Sequence, residues 1–271
     1  MGITGDFHLH TSFSSDSEAP MASMIEQGIT AGLSCLCITE HMDKDYVRRT
    51  PEDFDFEVDT EAYYQTYQVL RARYADQIKV LFGIELGLQP HVADFYRQYI
   101  ADYPFDFILG SSHICHRRDP YYPDFYEGRA EAEAYLEYFE SILENIRAFD
   151  GYDVYGHLDY TVRYGPNQDR EYSYEKYADI LDCILRELIG RGKGIEVNTS
   201  GFRYGLTHPN PTEDILKRYL ALGGEIITIG SDAHRPAHIA YEFERVSSIL
   251  KECGFKYYTI FENRTAEFVK L

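Results

Sequence analysis

Short apolar runs alternate with longer amphipathic stretches along the whole chain, and each run ends close to a residue able to bind a metal ion or phosphate. The runs are "GDFHLH" at 5–10, "SCLCIT" at 34–39, "KVLFGIEL" at 79–86, "FDFILGSSH" at 105–113, "YDVYGH" at 152–157, "KGIEVNTS" at 193–200 and "EIITIGSDAH" at 225–234. Runs of this length suit buried strands, and the intervening stretches are long enough for helices. Helices are predicted over "APMASMIEQGITAG", where Pro20 favours a first turn, over 57–75, 129–149, 173–190, 211–222 and 236–252, with a short one after Pro90. A last strand, "KYYTIFE", closes the chain. Strand–helix alternation without a Pro/Gly/Ser-rich linker predicts βα units around a parallel sheet, an α/β fold in one domain over residues 1–271. That many units favours a barrel over an open sheet. The segments 42–60 and 114–129 are too long for simple turns and are expected to be loops covering a site.

In such a barrel the strand C-termini converge on one face, which carries the chemistry. Residues two apart on a strand point the same way, so His8 and His10 emerge side by side, with Asp16 in the loop that follows. The second run continues into "TEH" and supplies His41; the third supplies Glu85, the fourth His113, the fifth His157, the sixth Asn198 and the seventh Asp232 and His234. Ordinary strand ends carry Asp, Asn, Ser and Gly without such a series of imidazoles. Mixed His and carboxylate donors suit zinc, iron or manganese better than calcium or magnesium. His8, His10, Asp16, His41, Glu85, His113, His157, Asp232 and His234 are nine donors, too many for one ion. They fit two or three ions with a bridging carboxylate. Such a cluster lowers the pKa of a shared water and neutralises phosphoryl oxygens, a combination that phosphate-ester hydrolysis uses in full.

Charge narrows the partners. With 26 basic against 45 acidic residues the net charge is −19, which argues against a nucleic-acid-binding surface. An anionic substrate is still compatible, because bound divalent cations reverse the field inside a cleft. Five scattered cysteines do not form a disulfide framework, and Cys35 and Cys37, on one face of an apolar run, are expected as buried thiols. No signal-peptide pattern and no apolar run of bilayer-spanning length occurs, so the expected setting is a reducing cytoplasm without a membrane partner. The 25 tyrosines, many on predicted helices, are assigned to packing.

Taken in order, "HLH", "TEH", "GIEL", "SSH", "GH" and "SDAH" resemble the polymerase-and-histidinol-phosphatase family over nearly the whole chain. The resemblance implies a distorted, TIM-like (βα)7 barrel with a trinuclear metal site. It implies that His8, His10, Glu85 and Asp232 hold the first ion, and that Glu85 bridges to a second completed by His113 and His157. Asp16, His41 and His234 would hold the third. Asp16 is a variation, since other branches place a histidine there, and a carboxylate changes the charge of that third site. Within the family, "GHLDYTVRYG" and "NTSGFRYG" resemble the histidinol-phosphatase branch.

That branch implies a phosphomonoesterase whose small-molecule substrate is L-histidinol phosphate, released as L-histidinol and phosphate in histidine biosynthesis. Arg163 and Arg203, each just beyond a ligand-bearing strand, are expected to clamp phosphate oxygens. Arg117 and Arg118, close to His113, are further substrate candidates. Glu196 and Asn198 are expected to face the substrate, Glu196 as a partner for a cationic amine. A hydroxide bridging two ions would attack phosphorus in line with the ester oxygen. The third ion, or Asp232 or His234 through water, would assist the leaving alkoxide. His91, His116, His208 and His238 lie outside every motif and are expected at the surface or in loops. One rival reading keeps the metals and changes the substrate to another small phosphomonoester or a nucleotide or nucleic-acid phosphate. A second rival is a sensor that kept the barrel and lost catalysis, against which the intact donor set weighs.

Overall fold

The computed structural model describes residues 2–50 and 53–271, so residues 51 and 52 of the predicted loop 42–60 lie outside the described residues. Seven parallel strands make one sheet in chain order: β1 (Gly5–Asp6), β2 (Cys35–Met42), β3 (Lys79–Gly87), β4 (Phe107–Ser111), β5 (Val154–Tyr155), β6 (Gly194–Asn198) and β7 (Ile227–Gly230). The connections carry α1 (Met21–Thr30), α2 (Thr60–Tyr74), α3 (Ala93–Asp102), α4 (Glu131–Ala148), α5 (Ala178–Gly190), the single turn α6 (Ser200–Arg203) and α7 (Glu213–Ala221). After β7 come α8 (Phe243–Cys253) and an antiparallel hairpin of β8 (Tyr257–Glu262) and β9 (Thr265–Lys270). No described helix is long and apolar enough to cross a membrane.

The sheet closes into a TIM-like barrel. Phe7 N donates to Ile229 O at 2.9 Å, Asp232 N to His8 O at 2.7 Å and His10 N to Ala233 O at 2.8 Å. The predicted first strand 5–10 is therefore shared between neighbours: Gly5 and Asp6 pair with β2, and Leu9 pairs with Ala233 beyond β7. Helices cover the outside through apolar stripes at helical spacing, as on α5, which buries Leu181, Ile184, Leu185 and Leu188.

Inside, the barrel is divided along its axis. Phe7, Cys35, Cys37, Leu81, Phe107, Leu109 and Val154 form a separate apolar core that the hairpin closes with Phe261. Burial pushes the Cys35 thiol up to about 12, as suits an inert packing group. The hairpin is tied on by polar contacts as well: Arg264 Nε donates to Asp153 Oδ2 at 2.5 Å and Asn263 N to Asp106 Oδ1 at 3.0 Å. Strand β9 has no counterpart in the predicted elements. Its turn, Asn263–Arg264, has both residues at positive φ (49° and 62°), a conformation that Asn-Gly signals clearly and Asn-Arg does not.

The other half of the interior is polar, and tyrosines from the helices brace its rim. Tyr63 Oη lies 3.0 Å from the carbonyls of both Ile38 and Gly83, Tyr96 Oη 2.9 Å from Met42 O and 2.8 Å from Gly87 O, and Tyr138 Oη 2.8 Å from Ser112 O. Two predicted helices start late: a 3-10 turn at Tyr174–Tyr177 precedes α5, and left-handed residues Ala240 and Glu242 hold off α8 until Phe243.

Candidate metal centre

Glu85, on the inner face of β3, is the hub of the polar half. Its Oε1 lies 3.1 Å from His157 Nε2 and 3.2 Å from His113 Nε2. Its Oε2 lies 3.1 Å from His41 Nδ1, 3.2 Å from His8 Nε2 and 3.5 Å from His10 Nε2. Asp232 Oδ1 stands 3.7 Å from the Nε2 atoms of His8 and His10 and from His234 Nδ1. Asp16 Oδ2 lies 3.0 Å from His234 Nε2 and 3.7 Å from His41 Nε2. All nine expected donors thus meet at one end of the barrel. Donor atoms of His8, His10 and Asp232, of His41, Glu85 and His113, of His8, Glu85 and His157, and of His10, His41 and His234 each lie within 4.8 Å of one another.

Two observations fit this set to metal ions. First, Asp16 Oδ1 and His157 Nδ1 are buried without a hydrogen-bond partner, and His41 Nδ1 and Glu85 Oε2, though 3.1 Å apart, are not aligned for a hydrogen bond and have no other. Each such atom costs about 1–3 kcal/mol unless something else ligates it, and four occur in one cluster. Second, the charges need cations. Burial pushes the Glu85 and Asp232 carboxyls up, yet the surrounding imidazoles, joined at Asp232 by the Arg163 guanidinium, outweigh it and hold both well below the usual carboxylate range. Burial likewise lowers His113, but Asp43 and Glu85 raise it to about 10. Divalent ions would replace those protons as the countercharge, leaving neutral imidazoles as ligands.

Ring orientation is set from behind. His8 Nδ1 lies 2.6 Å from Glu196 Oε1, His113 Nδ1 2.6 Å from Asp43 Oδ2 and His10 Nδ1 3.2 Å from Ser14 Oγ. His234 Nδ1 donates to Asp232 O at 3.0 Å. In each case Nδ1 is occupied and Nε2 is presented to the cluster, the arrangement that fixes a metal-binding tautomer. Asp43 and Ser14 were not among the expected residues. Asp43 lies two residues beyond His41, on the same side of the chain, and that spacing is the signal for it.

Several expected substrate contacts go elsewhere. Glu196 does not face the cavity: it is 1 % exposed and accepts from His157 N at 2.9 Å as well as bonding His8. Its direction follows from β6 facing inward beneath the cluster, and a Cβ at Gly230 would lie 2.1 Å from its Oε1. Asn198 is also buried off the cavity, its Oδ1 accepting from Arg163 Nη2 at 3.0 Å and Ser200 Oγ at 2.6 Å. Arg203 does not line the cavity either; Nη1 donates to Ser231 O at 2.7 Å and Nη2 to Asp232 O at 2.8 Å. It braces a loop in which Asp232 has φ 54°, a left-handed conformation that Asp tolerates better than most residues. Arg117 sits with His116 at positive φ in a tight turn closed by the Cys115–Arg118 bridge, so it projects outward and pairs with Asp45 at 3.1 Å. Arg118 pairs with Glu137 at 2.7 Å. Of the four histidines outside the motifs, His208 is buried in its loop, its Nδ1 donating to Pro209 O at 2.6 Å.

A cavity of about 530 Å³ opens over the cluster, lined by His41, Glu85, His113, His157, Asp232 and His234 at its base. Both long loops contribute to its walls, with Tyr46, Phe54 and Phe56 from one and Asp119, Tyr121 and Tyr122 from the other. Arg163 lines it too, in a 3-10 turn that follows His157. Its Nε donates to Asn210 Oδ1 at 2.8 Å and its Nη1 to Asp232 Oδ2 at 3.2 Å.

Comparison with known proteins bears on what such a cavity does. The PHP domain family model matches residues 6–200. The chain is 32 % identical over 251 residues to the histidinol-phosphatase of Lactococcus lactis subsp. lactis, covering 92 % of this chain and 91 % of that protein. It is 22 % identical over 297 residues to the histidinol-phosphatase of Saccharomyces cerevisiae, covering 90 % and 88 %. The crystal structure of histidinol phosphate phosphatase from L. lactis, complexed with zinc, L-histidinol and phosphate, superposes with a TM-score of 0.90 at 31 % identity, covering 97 % of this chain and 98 % of that one.

Proposed function

The chain belongs to the PHP domain family, and from that premise we propose that it is a metal-dependent histidinol-phosphatase, hydrolysing L-histidinol phosphate to L-histidinol and phosphate. The observation that carries the reading is the convergence of nine donors and Arg163 at the base of one cavity, in a chain that superposes on a relative holding zinc, L-histidinol and phosphate.

We assign the nine donors to two or three divalent transition-metal ions, zinc, iron or manganese, as grouped by the family resemblance. When bound, these ions supply Lewis-acid neutralisation of phosphoryl oxygens and an activated water near neutral pH. The protein's own part is placement. Glu196, Asp43 and Ser14 hold the imidazoles of His8, His113 and His10 in ligand orientation. Arg163 has three of its nitrogens anchored to Asn210, Asp232 and Asn198, so its guanidinium meets the phosphate as a rigid plane. Two of its five N–H donors have no described protein acceptor and are assigned to phosphate oxygens. Asp232 and His234, just beyond β7, are assigned to hold a water beside the leaving oxygen, and the proton that oxygen takes up would come from the attacking water.

The test is phosphate release from L-histidinol phosphate by the purified protein, with metal content measured on the same sample. Rapid release with at least two transition-metal ions per chain is expected. Metal-loaded protein that leaves L-histidinol phosphate intact while cleaving other phosphate esters would move the substrate assignment. Absence of both metal and activity after reconstitution would remove the reading altogether.

A further inference from the structure

We propose that Asp119 is the anchor for the substrate's protonated amine, and so the residue that makes the cavity selective for an amine-bearing phosphate ester. The proposal rests on the phosphatase reading above.

Two aromatic walls lead away from the histidine cluster. One runs from His41 to Phe56, ring centroids 5.1 Å apart, and on to Tyr46 at 4.8 Å. The other runs from His113 to Tyr160 at 5.7 Å, then Tyr164 at 5.1 Å and Tyr121 at 5.3 Å. They meet at Asp119. Tyr46 Oη donates to its Oδ2 at 2.6 Å, and Tyr121 N donates to its Oδ1 at 2.7 Å. The slot thus has the metal cluster and Arg163 where the walls begin and a single carboxylate where they join.

That carboxylate lacks a countercharge. Asp119 is 7 % exposed, and no Lys, Arg or His among the described residues forms an ion pair with it. The cavity's other buried carboxylates are matched: Asp43 by His113, Asp232 by Arg163, Glu85 by its ring of imidazoles. A buried charge without a partner is costly, and burial pushes the Asp119 carboxyl up from its ordinary value. Each oxygen accepts one hydrogen bond and retains capacity for another. Tyr46, Tyr121 and Tyr122 line the cavity beside it, and ring faces attract ammonium groups. An ester that carries an alkylammonium on the second carbon from its phosphate oxygen would bring anion and cation into one cavity, the cation supplying the countercharge that Asp119 lacks. L-Histidinol phosphate is such an ester. The role assigned to Glu196 from sequence therefore passes to Asp119.

The experiment compares kcat/KM for L-histidinol phosphate with that for its deamino counterpart, the same ester without the amine, in wild-type protein and Asp119→Asn, both metal-loaded. Wild type is expected to prefer the aminated ester. In the variant that preference ratio should fall on the order of 10- to 100-fold, mostly through KM. Because the ratio is internal, damage to the metal site lowers both rates and leaves it unmoved. A ratio retained in the variant overturns the proposal and leaves the phosphatase reading intact; a wild type that ignores L-histidinol phosphate while cleaving other esters overturns that reading instead. Should the Asn variant fail to accumulate, Asp119→Ser, which also removes the charge and keeps an acceptor for Tyr121 N, is read in the same way.

Discussion

Glu196 and Arg163 show how much of the site depends on single atoms held in place. Glu196 touches two cluster histidines at once, through the His8 ring and the His157 backbone. Replacing it with Gln removes the charge that fixes His8 as an Nδ1 donor. Loss of such a partner behind a ligand typically lowers metal affinity or activity about 10- to 100-fold. Glu196→Gln is therefore expected to lose metal and kcat/KM together, read by elemental analysis and phosphate release; full metal occupancy with unchanged turnover would contradict this placement. Arg163→Ala should reduce kcat/KM about 100-fold, since it removes a charged phosphate contact, takes the cation from beside Asp232 and leaves Asn210 Oδ1 without its donor. Arg163→Lys should recover little of it, because an ammonium cannot span three acceptors in one plane. Arg117→Ala, on the outward turn, should leave turnover as it was.

At the scale of elements, the hairpin β8–β9 does what no barrel strand can. Seven strands enclose an interior open at the N-terminal end, and Phe261 fills it against Phe107, whose ring centroid is 5.2 Å away. Phe261→Ala is expected to destabilise the fold by about 3–5 kcal/mol in denaturant titration, as buried Phe truncations do. At temperatures where the variant stays folded, metal content should be retained, because Phe261 lies in the apolar half of the barrel and the donors in the other. The first seven strands and the helices between them were legible from run length and polarity. The second hairpin strand was not, since "TAEFVK" is largely exposed and its turn lacks the usual glycine. Helix starts at 173 and 236 also misled: an apolar stripe marks the buried face, whereas 3-10 turns and left-handed residues decide where regular helix begins.

Across the whole molecule, the cluster places the charges of Asp16, Glu85 and Asp232 in the polar half of the barrel, beneath the cavity and next to six imidazoles. Ions that bind only the folded chain add their binding free energy to its stability, about 2.7 kcal/mol at a hundredfold excess over Kd. Chelation is therefore expected to abolish phosphate release and to lower Tm, with both restored by zinc or manganese; an unchanged Tm alongside full chelation would speak against a buried cluster. The sequence by itself determined the alternating units, the donor residues at the strand ends and the loops that line the cavity, because each depends on local spacing and on the rule that parallel strands finish on one face. Only the tertiary structure decided which residue serves which neighbour. Glu196 turns behind His8, Arg203 braces the Ser231–Asp232 backbone, and Asp119 joins Tyr46 and Tyr121 at the end of the slot. Those pairings span up to 188 residues and depend on strand register and barrel closure, quantities that no local pattern in the chain contains.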